Sequence, residues 1–173
     1  MNNLYKKYKH YILPILLILA LSFSRLIPHP SNFTPILAVG IFSGFYFKNF
    51  ILSFFIVICS MFLGDLFLGF HSTMIFTYSS LLIAVLFGLL IKNFKFREIF
   101  FSGVASSICF FVITNFGVWA LSSMYEKSFA GLLQSYVMGI PFFHNTLIST
   151  FIYLIVLKLI YDLAKKKLFN YSI

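Results

Sequence analysis

The chain has 173 residues, of which 61% are hydrophobic and only 10% are charged. An average soluble domain has roughly 25% charged residues, so this composition excludes a soluble enzyme, a disordered chain and a fibrous repeat. The net charge of +9 comes from short basic clusters between apolar runs. This pattern is typical of membrane topology and of contact with lipid headgroups, and no nucleic-acid partner is expected. The composition predicts one integral membrane domain over residues 1–173.

Six apolar segments are candidates for membrane-spanning helices, because a span needs about 20 residues. The predicted spans are residues 11–27, 33–47, 49–70, 73–91, 98–122 and 142–163. No convincing cleavage site follows the first segment, which is therefore interpreted as an uncleaved span. Pro141 is expected to break the last apolar run and to separate a half at about 131–140 from the final span.

The basic residues predict the topology of these spans. With a cytoplasmic N-terminus, six spans place the clusters at 6–9, 92–97 and 165–167 inside and leave only Arg25 and Lys127 outside. Five spans would place the lysines at 165–167 outside. The positive-inside rule therefore favours an all-α six-span bundle with both termini in the cytoplasm.

Every predicted span has a polar residue in its outer part or directly beside its outer end. These residues are Arg25, Asn32, Asp65, Thr77, Asn115 and His144. At 1.5 Å per residue, each lies about 21–27 Å from the cytoplasmic charge of its own helix. Polar groups are costly in lipid and are expected to face a cavity or the bundle interior, although any one of them alone could mark the outer interface. The layer predicts a pocket that opens outward and is sealed on the inner side by apolar packing.

Two groups of candidate binding residues lie near the ends of the first and third spans. Arg25 and Asp65 have opposite charges at similar depth, so either they form a salt bridge that orients the helices or one of them meets a polar substrate group. His29 and Asn32 belong to a loop with three prolines, whose rigidity would lower the cost of ordering on binding. His71 follows the third span and is either a ligand contact or a solvated interface histidine.

Further candidates lie on the last two spans. Asn115 and Trp119 are four residues apart and share a helix face, so an amide and an indole could contact a flat heteroaromatic solute. The alternative for Trp119 is a place in the aromatic belt of the membrane interface. His144 and Asn145 follow Pro141, where the expected break would direct a helix N-terminus toward the pocket.

Two pairs of small residues predict close approach between helices. Gly40 and Gly44 form a G-x-x-x-G motif, and Ala20 and Ser24 form a similar small pair, which permits close helix approach.

The sequence contains no H-E-x-x-H, G-x-S-x-G or Walker motif. We therefore expect no enzymatic activity, no cofactor and no metal, and energy for any active transport would come from an ion gradient or a partner.

Four motifs carry a resemblance to a known family over nearly the whole chain. They are RLIPHPSNFTP at 25–35, GDLFLGFH at 64–71, TNFGVW at 114–119 and PFFHN at 141–145. Together they resemble an uncharacterised bacterial family of transport proteins that look like the S components of energy-coupling factor (ECF) vitamin transporters.

The resemblance implies a substrate-binding subunit for a small solute, typically a vitamin or a vitamin precursor. It also implies docking on a transmembrane T subunit that is driven by two ATPases. Small residues on the first helix of S components contact the T subunit, and Ala20 and Ser24 are the nearest match here.

Two other function classes remain open. A non-transporting membrane scaffold of the MreD type is also a small multi-span chain, but it would not need polar groups gathered at one depth. An intramembrane enzyme could use Asp65 with two histidines, but a second carboxylate and an activated nucleophile are both missing. The sequence leaves open which solute is bound, and whether Arg25 and Asp65 bind each other or the ligand.

Overall fold

The computed structural model describes residue 12 and residues 15–170, and every regular element in this part of the chain is an α-helix. The helices are α1 (Ile15–Ser24), α2 (Ile36–Phe47), α3 (Phe50–Leu68), α4 (Met74–Leu90), α5 (Phe96–Leu121) and α6 (Phe129–Asn170). Each predicted span overlaps one helix, and the last predicted span covers only part of α6. Residues 11, 13 and 14 of the first predicted span lie outside the described residues.

Local side-chain and backbone chemistry sets the boundaries of α3. Lys48, just before it, adopts a left-handed conformation with φ of 49°. The side chain of Asn49 then accepts a hydrogen bond of 3.0 Å from the backbone N–H of Leu52, which caps the first turn. At the other end Gly69 has φ of 92°, a conformation that side chains disfavour, so the chain turns there toward α4.

The expected break at Pro141 is wrong, because α6 continues through this residue from Phe129 to Asn170. Proline removes one backbone hydrogen bond, but neighbouring groups in an apolar bundle can compensate for this loss. Residues 131–140 and 142–163 therefore belong to one helix, and no helix N-terminus lies at His144.

Helix α2 occupies the centre of the bundle, with ten of its twelve residues buried. It packs on α4 through direct backbone contact: a β-carbon on Gly44 would lie 2.3 Å from the carbonyl oxygen of Val85. A β-carbon on Gly88 would likewise lie 2.0 Å from the carbonyl oxygen of Ile41. The close helix approach predicted from the G-x-x-x-G motif is thus confirmed at Gly44.

The two ends of the bundle differ in character. The basic end carries the connections at 48–49 and 91–95, and there the rings of Phe45 and Phe94 stack with their centroids 4.6 Å apart. The cavity end carries the connections at 25–35, 69–73 and 122–128. Apolar packing fills the interior near the basic end, where a groove of about 460 Å³ is lined by Leu90, Arg97 and Phe101. A cavity that is lined by residues of the connections at 25–35 and 69–73 lies at the cavity end.

Three helices are long and apolar enough to cross a membrane, namely α3, α5 and the Phe129–Leu163 part of α6. The described parts of α1, α2 and α4 are apolar but shorter. Many large apolar side chains are exposed, with Phe67 74% and Leu90 74% accessible. Exposed apolar surface on this scale fits a membrane protein.

Candidate functional site

The Arg25–Asp65 ion pair lies at the cavity end of the bundle. Nη1 of Arg25 lies 2.7 Å from Oδ1 of Asp65 and also donates a hydrogen bond of 2.9 Å to the carbonyl oxygen of Met61. The carboxylate is 1% exposed and the arginine side chain 16% exposed. Of the two arrangements left open by the sequence, the structure shows the one in which the two residues bind each other.

The second carboxylate oxygen has a partner on α4. The hydroxyl of Tyr78 donates to Oδ2 of Asp65 at 2.5 Å. The carboxylate therefore connects α3 with α4 and with the segment that follows α1. Oδ1 faces the guanidinium of Arg25 as an ion pair without a well-aligned hydrogen bond. The ion pair and the Tyr78 hydroxyl therefore compensate part of the cost of burying this charge.

Gly64 makes room for the guanidinium beside α3. A β-carbon at this position would lie 2.5 Å from Nη1 of Arg25. Only a residue without a side chain lets the guanidinium lie directly against the helix and reach Asp65 and the carbonyl of Met61.

A cavity of about 220 Å³ opens beside Arg25 and is called the arginine cavity. Its polar lining residues are Arg25, His29, Asn32, Thr34, His71, Thr77, Thr146 and Thr150, and its apolar ones are Ile36, Leu37, Met61, Leu68, Leu81 and Phe110. Four of the predicted binding residues thus meet around one space, and Asp65 contacts it through Arg25.

Thr150 is the most informative residue of this cavity. It is 1% exposed, and its hydroxyl has no hydrogen-bond partner among the residues that the structure describes. A buried hydroxyl without a partner costs free energy, so a partner supplied from the cavity would recover it.

A second cavity of about 330 Å³ lies between α5, α6 and the loop after α1, and is called the asparagine cavity. Asn115 lines it, with its Nδ2 donating to the carbonyl oxygen of Phe111 at 2.8 Å. Gly139 leaves space for this amide, because a β-carbon there would lie 2.4 Å from Oδ1 of Asn115. Asn32 and Phe110 line both cavities and form part of the wall between them.

The proline-rich loop is fastened to α6. Asn145 donates from Nδ2 to the carbonyl oxygen of Ser31 at 3.0 Å, and Ser149 donates to that of Asn32 at 3.5 Å. Asn32 itself has φ of 62°, a left-handed conformation that asparagine tolerates better than most residues. Asn145 therefore positions the loop that forms one side of both cavities.

The two histidines of the arginine cavity are exposed at its edge. Nδ1 of His29 lies 3.2 Å from the carbonyl oxygen of Pro30 and is the donor in this contact. Nδ1 of His71 lies 2.9 Å from the hydroxyl of Thr73. Each ring is oriented by a neighbour in its own loop and leaves its other nitrogen available.

Trp119 and His144 line neither cavity. The indole N–H of Trp119 donates to the carbonyl oxygen of Glu126 at 3.0 Å, and Nζ of Lys127 lies 5.9 Å from the ring centroid. Trp119 thus organises the connection between α5 and α6. The predicted contact of its indole with a heteroaromatic solute remains a prediction. His144 is exposed.

The residues predicted to dock a partner lie on α1. Ala20 is exposed, and the hydroxyl of Ser24 donates to the carbonyl oxygen of Leu21 at 2.9 Å.

Among the described residues, no three His, Cys, Asp or Glu side chains are grouped as a metal site would need.

Sequence reasoning missed several lining and supporting residues. Thr146 and Thr150 are four residues apart and therefore share a helix face, a spacing that could have indicated a polar stripe entering the bundle. Tyr78 directly follows Thr77, which was already part of the polar layer, but nothing in the sequence connects its hydroxyl with Asp65.

Comparison with known proteins gives one match. No curated protein and no solved structure matches the chain. A match over residues 6–171, nearly the whole chain, is found with a family described as "Family of unknown function (DUF6580)". The chain therefore belongs to the DUF6580 family.

Proposed function

We propose that this protein is a membrane-embedded substrate-binding subunit of the S-component type, which captures a small solute in the arginine cavity. The observation that carries the proposal is the meeting of Arg25 and the partnerless Thr150 hydroxyl at one cavity. A preformed cavity that combines apolar walls with convergent polar groups is a common form of a small-molecule site. The solute is a vitamin or a vitamin precursor in this proposal.

The proposed membrane arrangement has six spans with both termini in the cytoplasm. Helix α2 has 12 residues and is about 18 Å long, shorter than a hydrocarbon core of roughly 30 Å. In this arrangement the irregular segment at 25–35, which precedes α2, crosses the remaining thickness of the hydrocarbon core. Non-helical backbone is tolerated within a membrane where it lines a cavity, as this segment does.

The basic end of the bundle faces the cytoplasm in this arrangement. Nζ of Lys48 donates to the carbonyl oxygens of Leu89 and Ile91 and so caps the end of α4. Lys92 and Lys95 lie in the next connection, and Arg97 lies in the first turn of α5. Basic residues are enriched on the cytoplasmic side, so the arginine cavity opens toward the outside of a bacterial inner membrane.

The energy for uptake comes from partners in this proposal. A chain that only binds its solute needs no catalytic residues, and an ECF T subunit with two ATPases would drive release into the cell. The exposed Ala20 on α1 provides a small-residue surface on which the T subunit could dock.

Native mass spectrometry of the detergent-purified full chain, followed by denaturing extraction, tests the proposal. We expect a stoichiometric small molecule on the wild type, reduced or lost in Thr150→Val. Thr114→Val is the matched control, because Thr114 lines only the asparagine cavity and its hydroxyl bonds its own helix at 2.7 Å.

The opposite result would favour the MreD-like scaffold. An empty wild-type protein that also fails to respond to vitamins and precursors in a thermal-shift screen would contradict a binding subunit. In that case the ion pair and the hydroxyls would serve helix packing alone.

A further inference from the structure

The charges around the arginine cavity are asymmetric. Its ionisable lining side chains are Arg25, His29 and His71, and no acidic side chain lines it in the part of the chain that the structure describes. Asp65 is outside the lining and is 1% exposed. Its oxygens face Arg25 and Tyr78, so the carboxylate compensates the charge of the arginine from behind without offering an acceptor to the cavity.

Arg25 keeps hydrogen-bonding capacity toward the cavity. A guanidinium has five N–H donors in a planar fork, and the contacts described for Arg25 all involve Nη1. The ion pair and the carbonyl of Met61 fix the position of the group before any solute arrives. A positioned guanidinium fork matches the oxygens of a carboxylate or of a phosphate, and the apolar walls of this cavity favour the singly charged carboxylate.

The other lining residues indicate the chemistry of the rest of the solute. The buried hydroxyl of Thr150 can donate to an acceptor. The side chains of Leu37, Leu68, Leu81 and Phe110 provide apolar walls. A solute with an ammonium group would meet a guanidinium and two imidazoles with no carboxylate in contact, which is electrostatically unfavourable in a site of low dielectric.

We propose that the solute is a small carboxylic acid bound as its anion, with the carboxylate against Arg25 and a compact apolar body against the walls of the arginine cavity. This inference rests on the proposed function and narrows it to one chemical class. The volume of about 220 Å³ limits the body to the size of a single ring or a short chain.

Matched pairs of probes that differ only in charge test the inference. Nicotinate with nicotinamide and benzoate with benzamide are added at equal concentration to the purified full chain, and the thermal midpoint is recorded. We expect at least one acid to raise the midpoint by several degrees and its amide to leave it nearly unchanged. Titration of that acid should give a dissociation constant at least tenfold weaker in Thr150→Val and unchanged within twofold in Thr114→Val.

Arg25→Lys provides a second, independent variant. Lysine keeps the positive charge opposite Asp65 but lacks the planar fork, so the chain should fold while acid binding weakens at least tenfold. Acid binding equal to wild type in folded Arg25→Lys and Thr150→Val would overturn the inference.

The two proposals fail in different ways. The proposal of a carboxylic acid would be contradicted if an amide bound as well as its acid, or if the molecule extracted from the purified protein had no acid group. The proposal of a binding subunit would still stand in both cases. A protein that is empty on purification and responds to neither acids, amides nor the vitamin screen would contradict the proposed function itself, and this inference with it.

Discussion

The hydroxyl of Tyr78 donates a hydrogen bond of 2.5 Å to Oδ2 of Asp65, so the buried carboxylate is held on one side by α4 and on the other by Arg25. We expect Tyr78→Phe to destabilise the protein by about 1–2 kcal/mol, because a hydrogen bond to a charged group is lost while the ring remains. Reversible unfolding in detergent measures the difference. Tyr125→Phe is the control, since this tyrosine lies at the edge of the asparagine cavity; an equal loss in both variants would contradict a special role for Tyr78.

Removing one charge of the ion pair should cost more than removing both. Asp65→Asn leaves Arg25 without its counter-charge, and breaking a buried pair in this way costs about 3–5 kcal/mol. The double variant Arg25→Gln with Asp65→Asn carries no unpaired charge and should recover a large part of that loss. A double-mutant cycle on the unfolding free energies gives the coupling, and a coupling near zero would show that the pair does not stabilise the fold.

The two glycines of the G-x-x-x-G motif should respond differently to alanine. A β-carbon on Gly44 would lie 2.3 Å from the carbonyl oxygen of Val85, so Gly44→Ala must push α2 away from α4 and cost about 1–3 kcal/mol or more. A β-carbon on Gly40 would lie 3.4 Å from that of Ala84, an ordinary contact. Gly40→Ala is therefore expected to leave the thermal midpoint within a few degrees of wild type, and the reverse order of the two variants would contradict the helix contact.

Single cysteines test the six-span topology. In a Cys59→Ala, Cys109→Ala background, cysteine is introduced at Ser72, Ser123 or Asn93, which are all exposed. A membrane-impermeant maleimide should label Ser72→Cys and Ser123→Cys in intact cells and Asn93→Cys only after permeabilisation. Labelling of Asn93→Cys in intact cells would contradict the proposed orientation.

Gly139→Ala probes the second cavity. The added methyl group would lie 2.4 Å from Oδ1 of Asn115, which is the end of a flexible side chain and can move. We expect a loss of stability below about 1.5 kcal/mol together with a displaced amide. If the solute lies in the arginine cavity, its dissociation constant should change by less than twofold, whereas a tenfold change would place part of the solute in the asparagine cavity.

The order and approximate extent of the helices could be predicted from the sequence, because hydropathy and charge act locally along the chain. Apolar runs between charged residues form helices at the predicted places, and Gly69 ends one of them as a glycine with positive φ. The exception is Pro141, which is expected to end a helix by its local chemistry and is nevertheless inside α6. Packing and hydrogen bonds from neighbouring residues decide whether a proline interrupts a helix, and neither is a local property.

The site was predictable only as a set of residue types at one depth. The sequence by itself determined that Arg25, Asp65 and Asn115 had to leave the lipid and find polar surroundings, since their cost in an apolar medium is a property of the side chains. Only the tertiary structure decided that Arg25 meets Asp65, that Thr150 lines the same cavity without a partner, and that Trp119 lies outside it. The rotation and separation of the helices select these contacts, and they are set by packing between distant segments such as Gly44 against α4.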